Sequence, residues 1–228
     1  MDPSSPSPAS LPPTVAQQRQ ELLGLLRQEP RGAAKRDSPR VQQLIVALER
    51  AMPADLTAPQ AMEQLEGVWE LRWSSSSQPY LAVAPWLENL QLLAPSQGRG
   101  MNLLRLSGPL APLASIAVEA SIAVEASIAV DNGPPTSTSA PACPQQRVEV
   151  RFRRGGWLGP PLGTGRLQLL RSVQQSFPAW LDITVLDDEL RVCRGNAGTL
   201  FALLRRPDLT LEEWLLPPGA GAAPPTGG

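Results

Sequence analysis

The chain has 228 residues, 20 basic and 21 acidic side chains, a formal net charge of -1 and no histidine. That balance gives no electrostatic footprint for nucleic acid and no polybasic cluster for anionic lipid. With no histidine and only two cysteines, ordinary zinc and copper sites, histidine ligation of haem and histidine general-base catalysis are excluded, because the side chains that titrate near neutral pH are missing.

The length allows one domain of ordinary size. Residues 1–13 are rich in proline and serine and predict a disordered tail, since they bury too little apolar surface to offset the entropy of ordering. The N-terminus has no basic n-region and no apolar h-region, its first basic residue is Arg19, and no apolar run reaches the ~18 residues of a membrane span. The expectation is no signal peptide, no transit peptide and no transmembrane segment. Residues 14–56 predict a pair of α-helices. Val15, Leu22, Leu25 and Leu26 recur at helical spacing, Ser38 offers an N-cap with Pro39 at the first helical position, and Val41, Leu44, Ile45 and Leu48 form an i, i+3, i+4, i+7 stripe. Neither polar face is strongly basic and no aromatic anchors occur, so the pair reads as a plug packed on the next domain rather than a membrane-surface device.

Residues 57–216 predict that next domain as an antiparallel β-barrel. Trp69, Leu71 and Trp73 alternate with Val68, Glu70 and Arg72, the pattern of a barrel wall with a packed inside. Apolar runs at 86–93 and 101–107 predict further strands. Residues 114–131 are three tandem hexads, ASIAVE, ASIAVE and ASIAVD. Six is even, so a strand puts every Ile and Val of the repeat on one face, whereas a helix, advancing about 600° per hexad, scatters them. The repeat reads as a local duplication that lengthens a strand or forms a ribbon inserted between barrel strands. Residues 132–146 are a Pro/Ser/Thr-rich loop, Val148, Val150 and Phe152 mark a strand, residues 157–165 read as a glycine- and proline-rich loop over a barrel mouth, and 167–173 give one more strand. After a closing meander, residues 210–215 are a short amphipathic end and 217–228 a second disordered tail.

The meander, WLDITVLDDELRVCRGNAGTLFALLRR at 180–206, carries the most specific signal. Leu181, Ile183 and Val185 share one face of its first strand, a charged turn follows at Asp187, Asp188 and Glu189, and Gly195, Asn196 and Gly198 supply residues that tolerate positive φ. The pattern L-D-[IV]-T-x-L-D-x-x-L-R-[IV]-x-R-G-x-x-G-x-L-F-x-L resembles the C-terminal signature of the plastid-lipid-associated proteins, or fibrillins (plastoglobulins), in a cyanobacterial-type form. Arg31-Gly32 and the helix end Leu48, Glu49, Pro53 resemble that family's approach to its barrel, and Gly67-x-Trp69 is similar to a lipocalin start. The hexads are foreign to the family pattern. The resemblance implies a lipocalin-like barrel and a ligand class of lipids, carotenoids or prenylquinones at thylakoid membranes or lipid globules, with protection from photooxidative stress as the broad role. It implies a cytoplasmic or peripherally thylakoid-associated protein.

A small closed barrel can hold one hydrophobic ligand with few polar groups. The candidate lining is Trp69, Leu71, Trp73, Tyr80, Ile183, Val185, Arg191 and Phe201. Arg191 either binds an anionic head group or lies across a tryptophan at the barrel floor. Gly67, Asp182, Asp187, Arg194, Gly195 and Gly198 read as structural positions of the signature. The acidic turn lacks the ligand spacing of a calcium loop. The expected function is therefore non-enzymatic binding, carrying or sequestering of a hydrophobic small molecule or lipid, with no metal, no cofactor and no nucleic acid. One alternative is a structural coat or scaffold at a membrane surface; a further one is a cofactor-free isomerase or lyase using Asp182, Asp187 or Cys193.

Overall fold

The computed structural model describes residues 13–78, 81, 83–108, 115–124, 146–162, 165–172, 174, 179–195 and 198–215, with the backbone alone at 13, 117–124, 161–162 and 165–168. Residues 1–12 of the first expected tail, the whole second tail, most of the 132–146 loop, the third hexad, Tyr80, Cys143 and Asn196 lie outside these residues, while Pro13 already belongs to the first helix.

The apolar stripes read from the sequence form helices α1 (Pro13–Leu26) and α2 (Ser38–Ala51), joined through a 3-10 turn at Ala33–Asp37. Leu22, Leu23 and Leu26 of α1 and Val41, Leu44, Ile45 and Leu48 of α2 are buried. A short α3 (Ala61–Leu65) precedes nine strands: β1 (Gly67–Ser74), β2 (Leu87–Ala94), β3 (Arg99–Leu106), β4 (Ser115–Val124), β5 (Arg147–Leu162), β6 (Gly165–Ser172), β7 (Ala179–Leu186), β8 (Leu190–Gly195) and β9 (Leu200–Arg205). Every pairing is antiparallel. The order is β4-β3-β2-β1-β9-β8-β7-β5-β6, and a further pairing of β4 with β5 closes β1, β2, β3, β4, β5, β7, β8 and β9 into a ring. The fold is mainly β with N-terminal helices. Ser115–Val124, most of the first two hexads, form β4 itself, hydrogen-bonded to β3 on one edge and β5 on the other.

Two expectations are corrected. Residues 157–165 are not a loop: β5 continues to Leu162 and turns into β6, and the two prolines are accommodated because the β5–β6 register breaks between Leu158 and Pro161. The alternations in β1 and β7 are each interrupted by one residue. Leu71 pairs with Leu203 but Trp73 with Ala202, and Ile183 pairs with Cys193 but Val185 with Val192. One extra residue, Arg72 in β1 and Thr184 in β7, reverses the face of whatever follows. Trp73 and Val185 therefore pack under α1 and α2 with Leu190, Val192 and Ala202, while Trp69, Leu71 and Ile183 face the ring interior with Val148, Cys193, Phe201 and Leu203.

The Arg72 guanidinium binds the chain leaving the end of α1, donating through Nε to the Leu26 carbonyl at 2.9 Å and through Nη2 to that of Gln28 at 3.1 Å. A cation there satisfies orphan helix carbonyls and complements the helix dipole. Trp73 Nε1 donates to Ser38 Oγ at 3.1 Å, tying the following strand end to the start of α2.

On the opposite wall a third apolar cluster lies outside the ring: Val68, Leu90, Leu92, Met101, Leu103 and Leu158 are covered by Trp214 and Leu215. Between the outer layers sits a buried ionic network. Glu70 accepts from Arg31 Nε at 2.5 Å and Arg206 Nη1 at 3.0 Å; Glu88 accepts from Arg31 Nη2 at 2.7 Å, from Arg206 Nη1 at 3.3 Å and from Arg105. It joins the α1–α2 connection, β1, β2, β3 and the segment after β9.

Candidate functional site

The ring interior is closed at one end and lined by exposed apolar side chains at the other. At the closed end α3 brings Ala61 and Leu65, with Leu56 before it, against Trp69, Leu71 and Phe201. Trp69 is fully buried and donates Nε1 to the Leu65 carbonyl at 3.0 Å. The Arg205 guanidinium lies 4.4 Å from the Trp69 ring centroid. It donates to the carbonyls of Asp188 and Glu66, each at 2.7 Å, and of Gln64. Gly67 stands beside it at φ 132, and a Cβ there would come within 2.6 Å of Arg205 Nη1, so both backbone angle and space call for glycine.

Arg191 also approaches Trp69, its guanidinium carbon 5.2 Å from the ring centroid. Its exposure is 1%; Nη2 donates to Gln91 Oε1, and Nε has no hydrogen-bond partner. Burial pushes the Arg191 pKa below its ordinary value, Cys193 beside it opposes that shift, and the charge of Arg205 adds to it. Burial likewise pushes the Cys193 thiol up, outweighing the attraction of Arg191, so the sulfur stays protonated and lacks the thiolate that nucleophilic chemistry requires.

At the other end the far wall presents an apolar row. Leu103 and Leu158 point to the outer cluster, so their neighbours Leu104 and Trp157 point the opposite way, into the ring. Leu104 pairs with Ile116, Ile116 with Trp157, and Trp157 with Leu169, which places the four side by side across β3, β4, β5 and β6. Ile116 is 58%, Trp157 39% and Leu169 64% exposed.

Of the lining residues expected from the alternation, Trp69, Leu71, Ile183, Arg191 and Phe201 come together at the closed end. Trp73 and Val185 lie on the helical side, for the bulge reason given above, and Tyr80 is outside the described residues. The charged signature positions face other elements. Asp182 accepts two bonds from Arg147, at 2.9 and 3.1 Å, and Arg147 stacks 3.7 Å from the Trp180 centroid. Asp187 accepts from the amides of Glu189 and Leu190 and, bidentately, from Arg19 of α1. Arg194 binds Glu49 of α2 at 2.8 and 2.5 Å. A Cβ on Gly195 would stand 3.2 Å from Phe201 Cε2, and Gly198 has φ 74 in the turn into β9.

Sequence reasoning missed Arg205, Gln91 and the row at 104, 116, 157 and 169. Arg205 carried one signal, a basic residue closing the last apolar strand. The row carried none, because its members come from four separate strands.

Among the described residues no group of three or more acidic or cysteine side chains is placed to hold a metal, and no helix is long and apolar enough to cross a membrane. The model of the PAP_fibrillin family matches residues 16–204. No curated protein and no solved structure gives a significant match.

Proposed function

Since the chain belongs to the PAP_fibrillin family of plastid-lipid-associated proteins, we propose that it binds and carries or sequesters a hydrophobic lipid or isoprenoid within its strand ring. The ligand class is that of carotenoids and prenylquinones, the setting a thylakoid membrane or lipid globule, and the role protection against photooxidative damage. The observation that carries this reading is the row of half-buried Leu104 and exposed Ile116 and Trp157 on the inward face of the far wall, continued by exposed Leu169 on the same face of β6. Adjacent large apolar side chains left uncovered mark a binding surface, because water contact with them is unfavourable by roughly 25 cal/mol per Å². The reading is of binding without chemistry: the protonated Cys193 is buried, and Asp182 and Asp187 are held by arginines.

The test is to purify the protein from a photosynthetic host and identify co-purified lipids, then offer the stripped protein vesicles of thylakoid lipids containing carotenoid and prenylquinone. A hydrophobic molecule retained in stoichiometric amount, and lost from a Trp157→Ser variant, supports the proposal. A protein that carries nothing and extracts nothing overturns it.

A further inference from the structure

Resting on the lipid-carrier part of that reading, and departing from its carotenoid and prenylquinone class, we infer that the ring selects amphiphiles whose head group carries an anionic oxygen, a carboxylate or a phosphate, and that Arg191 at the closed end receives the head. Three observations lead there. Arg191 is 99% buried, yet among the described residues no carboxylate pairs with it: its side-chain neighbours are the neutral amide oxygen of Gln91 and the Cys193 sulfur, and Nε–H has no partner. A guanidinium cannot shed its proton in a protein, so the charge persists and its burial is costly until an anion meets it. The contrast with Arg205 is direct, because that guanidinium lies on the same tryptophan and has three backbone carbonyls to receive its hydrogens. Every other buried or half-buried arginine named above ends on a carboxylate or on backbone carbonyls; Arg191 ends on neither.

The surroundings say what accompanies the anion. Trp69 lies against the guanidinium and belongs with Leu71, Ile183, Phe201 and Leu203 to the apolar cluster of the inward face, and Ile116 and Trp157 of the exposed row at the other end stand on the same face of the ring. A free inorganic anion satisfies the charge and leaves that row uncovered. A single-chain amphiphile satisfies both, its head on Arg191 Nε and its chain toward Ile116 and Trp157. Gln91 occupies Nη2, so Nε–H is the donor left for the head.

The experiment uses the full, lipid-stripped chain and three probes of equal chain length: palmitic acid, hexadecyl phosphate and hexadecanol, titrated calorimetrically against the parent protein and against Arg191→Met and Arg191→Gln. The expected result is that one or both acids bind the parent protein roughly ten- to a hundredfold more tightly than the alcohol, the range of a charge-assisted hydrogen bond, and that both variants abolish this preference while keeping the alcohol's affinity. Which acid wins identifies the head as carboxylate or phosphate. Removing an unpaired buried charge favours folding, so the Met variant retains a melting transition at or above that of the parent. Equal binding of alcohol and acids, or an acid preference that survives both substitutions, overturns the inference and leaves the carrier reading standing. If none of the three probes binds, the inference falls, and the carrier reading stands or falls on extraction from the carotenoid- and prenylquinone-containing vesicles.

Discussion

The two walls of the ring are built from similar strands and finished in opposite ways. The near wall, β1, β9, β8 and β7, is covered on both faces: α1 and α2 press on Trp73, Val185 and Val192 from outside, and α3 presses on Trp69 and Phe201 from inside. The far wall, β2 to β5, is covered outside, where Trp214 and Leu215 lie over Leu92, Met101 and Leu103, and inside only where Leu93, Val148 and Val150 join the interior cluster. Its inward face leaves Ile116 and Trp157 exposed. A wall buried on both faces is committed to holding the fold together, so substitution there is read out as stability. On the proposed function the uncovered part of the far wall is where the ligand lies, so substitution there is read out as binding.

The largest expected effect breaks the seam between the walls. Glu70→Ala removes a carboxylate that Arg31, Arg72 and Arg206 share, leaving buried cations uncompensated. Denaturant unfolding should show a loss of about 3–5 kcal/mol, as for other broken buried ion pairs; a loss within experimental error contradicts a network that joins both walls. Trp73→Ala comes next. It empties a fully packed position under the helices and should cost about 3 kcal/mol or more, with lipid affinity unchanged in the fraction that remains folded. An affinity loss from Trp73→Phe, which preserves most of the packing, tells against the assignment of this residue to the helical side.

A smaller effect tests how α1 is held. Burial alone would raise the Asp187 pKa, but hydrogen bonds from Arg19 and from the amides of Glu189 and Leu190 outweigh it and hold the carboxyl below its ordinary value. A folded pKa below the unfolded value of ~3.9 contributes stability above that pH, and the contribution is lost as pH falls through the folded pKa. Acid unfolding of the parent protein should therefore steepen below about pH 4. Asp187→Asn should be less stable at neutral pH by about 1–2 kcal/mol and show a flatter acid limb, measured by circular dichroism against pH. Identical limbs refute the assignment. The smallest stability effect belongs to the far wall. Ile116→Ser should leave the unfolding free energy within about 0.5 kcal/mol while weakening lipid binding by roughly tenfold, about 1.4 kcal/mol of lost apolar contact. The reverse pattern, a stability loss with affinity intact, removes the distinction between the walls.

Read by itself, the sequence determined most of the elements, though not the strands at 157–162 and 165–166. Helical stripes at Leu22–Leu26 and Val41–Leu48, alternation at Trp69–Leu71 and the even period of the hexads each depend on neighbours within a few residues, and local sterics and burial settle them wherever the segment ends up. The long C-terminal pattern identified the family for the same reason, since its turn residues and spacing lie in one continuous stretch. Tertiary structure alone decided the facing of Trp73 and Val185, because a bulge is a mismatch between two paired strands and one strand's sequence does not contain it. It also decided which charges are matched. Glu70 and Glu88 meet arginines from positions 31, 105 and 206, whereas Arg191, only three residues from the paired Arg194, meets none of the described carboxylates, and that difference comes from the strand face each arginine occupies.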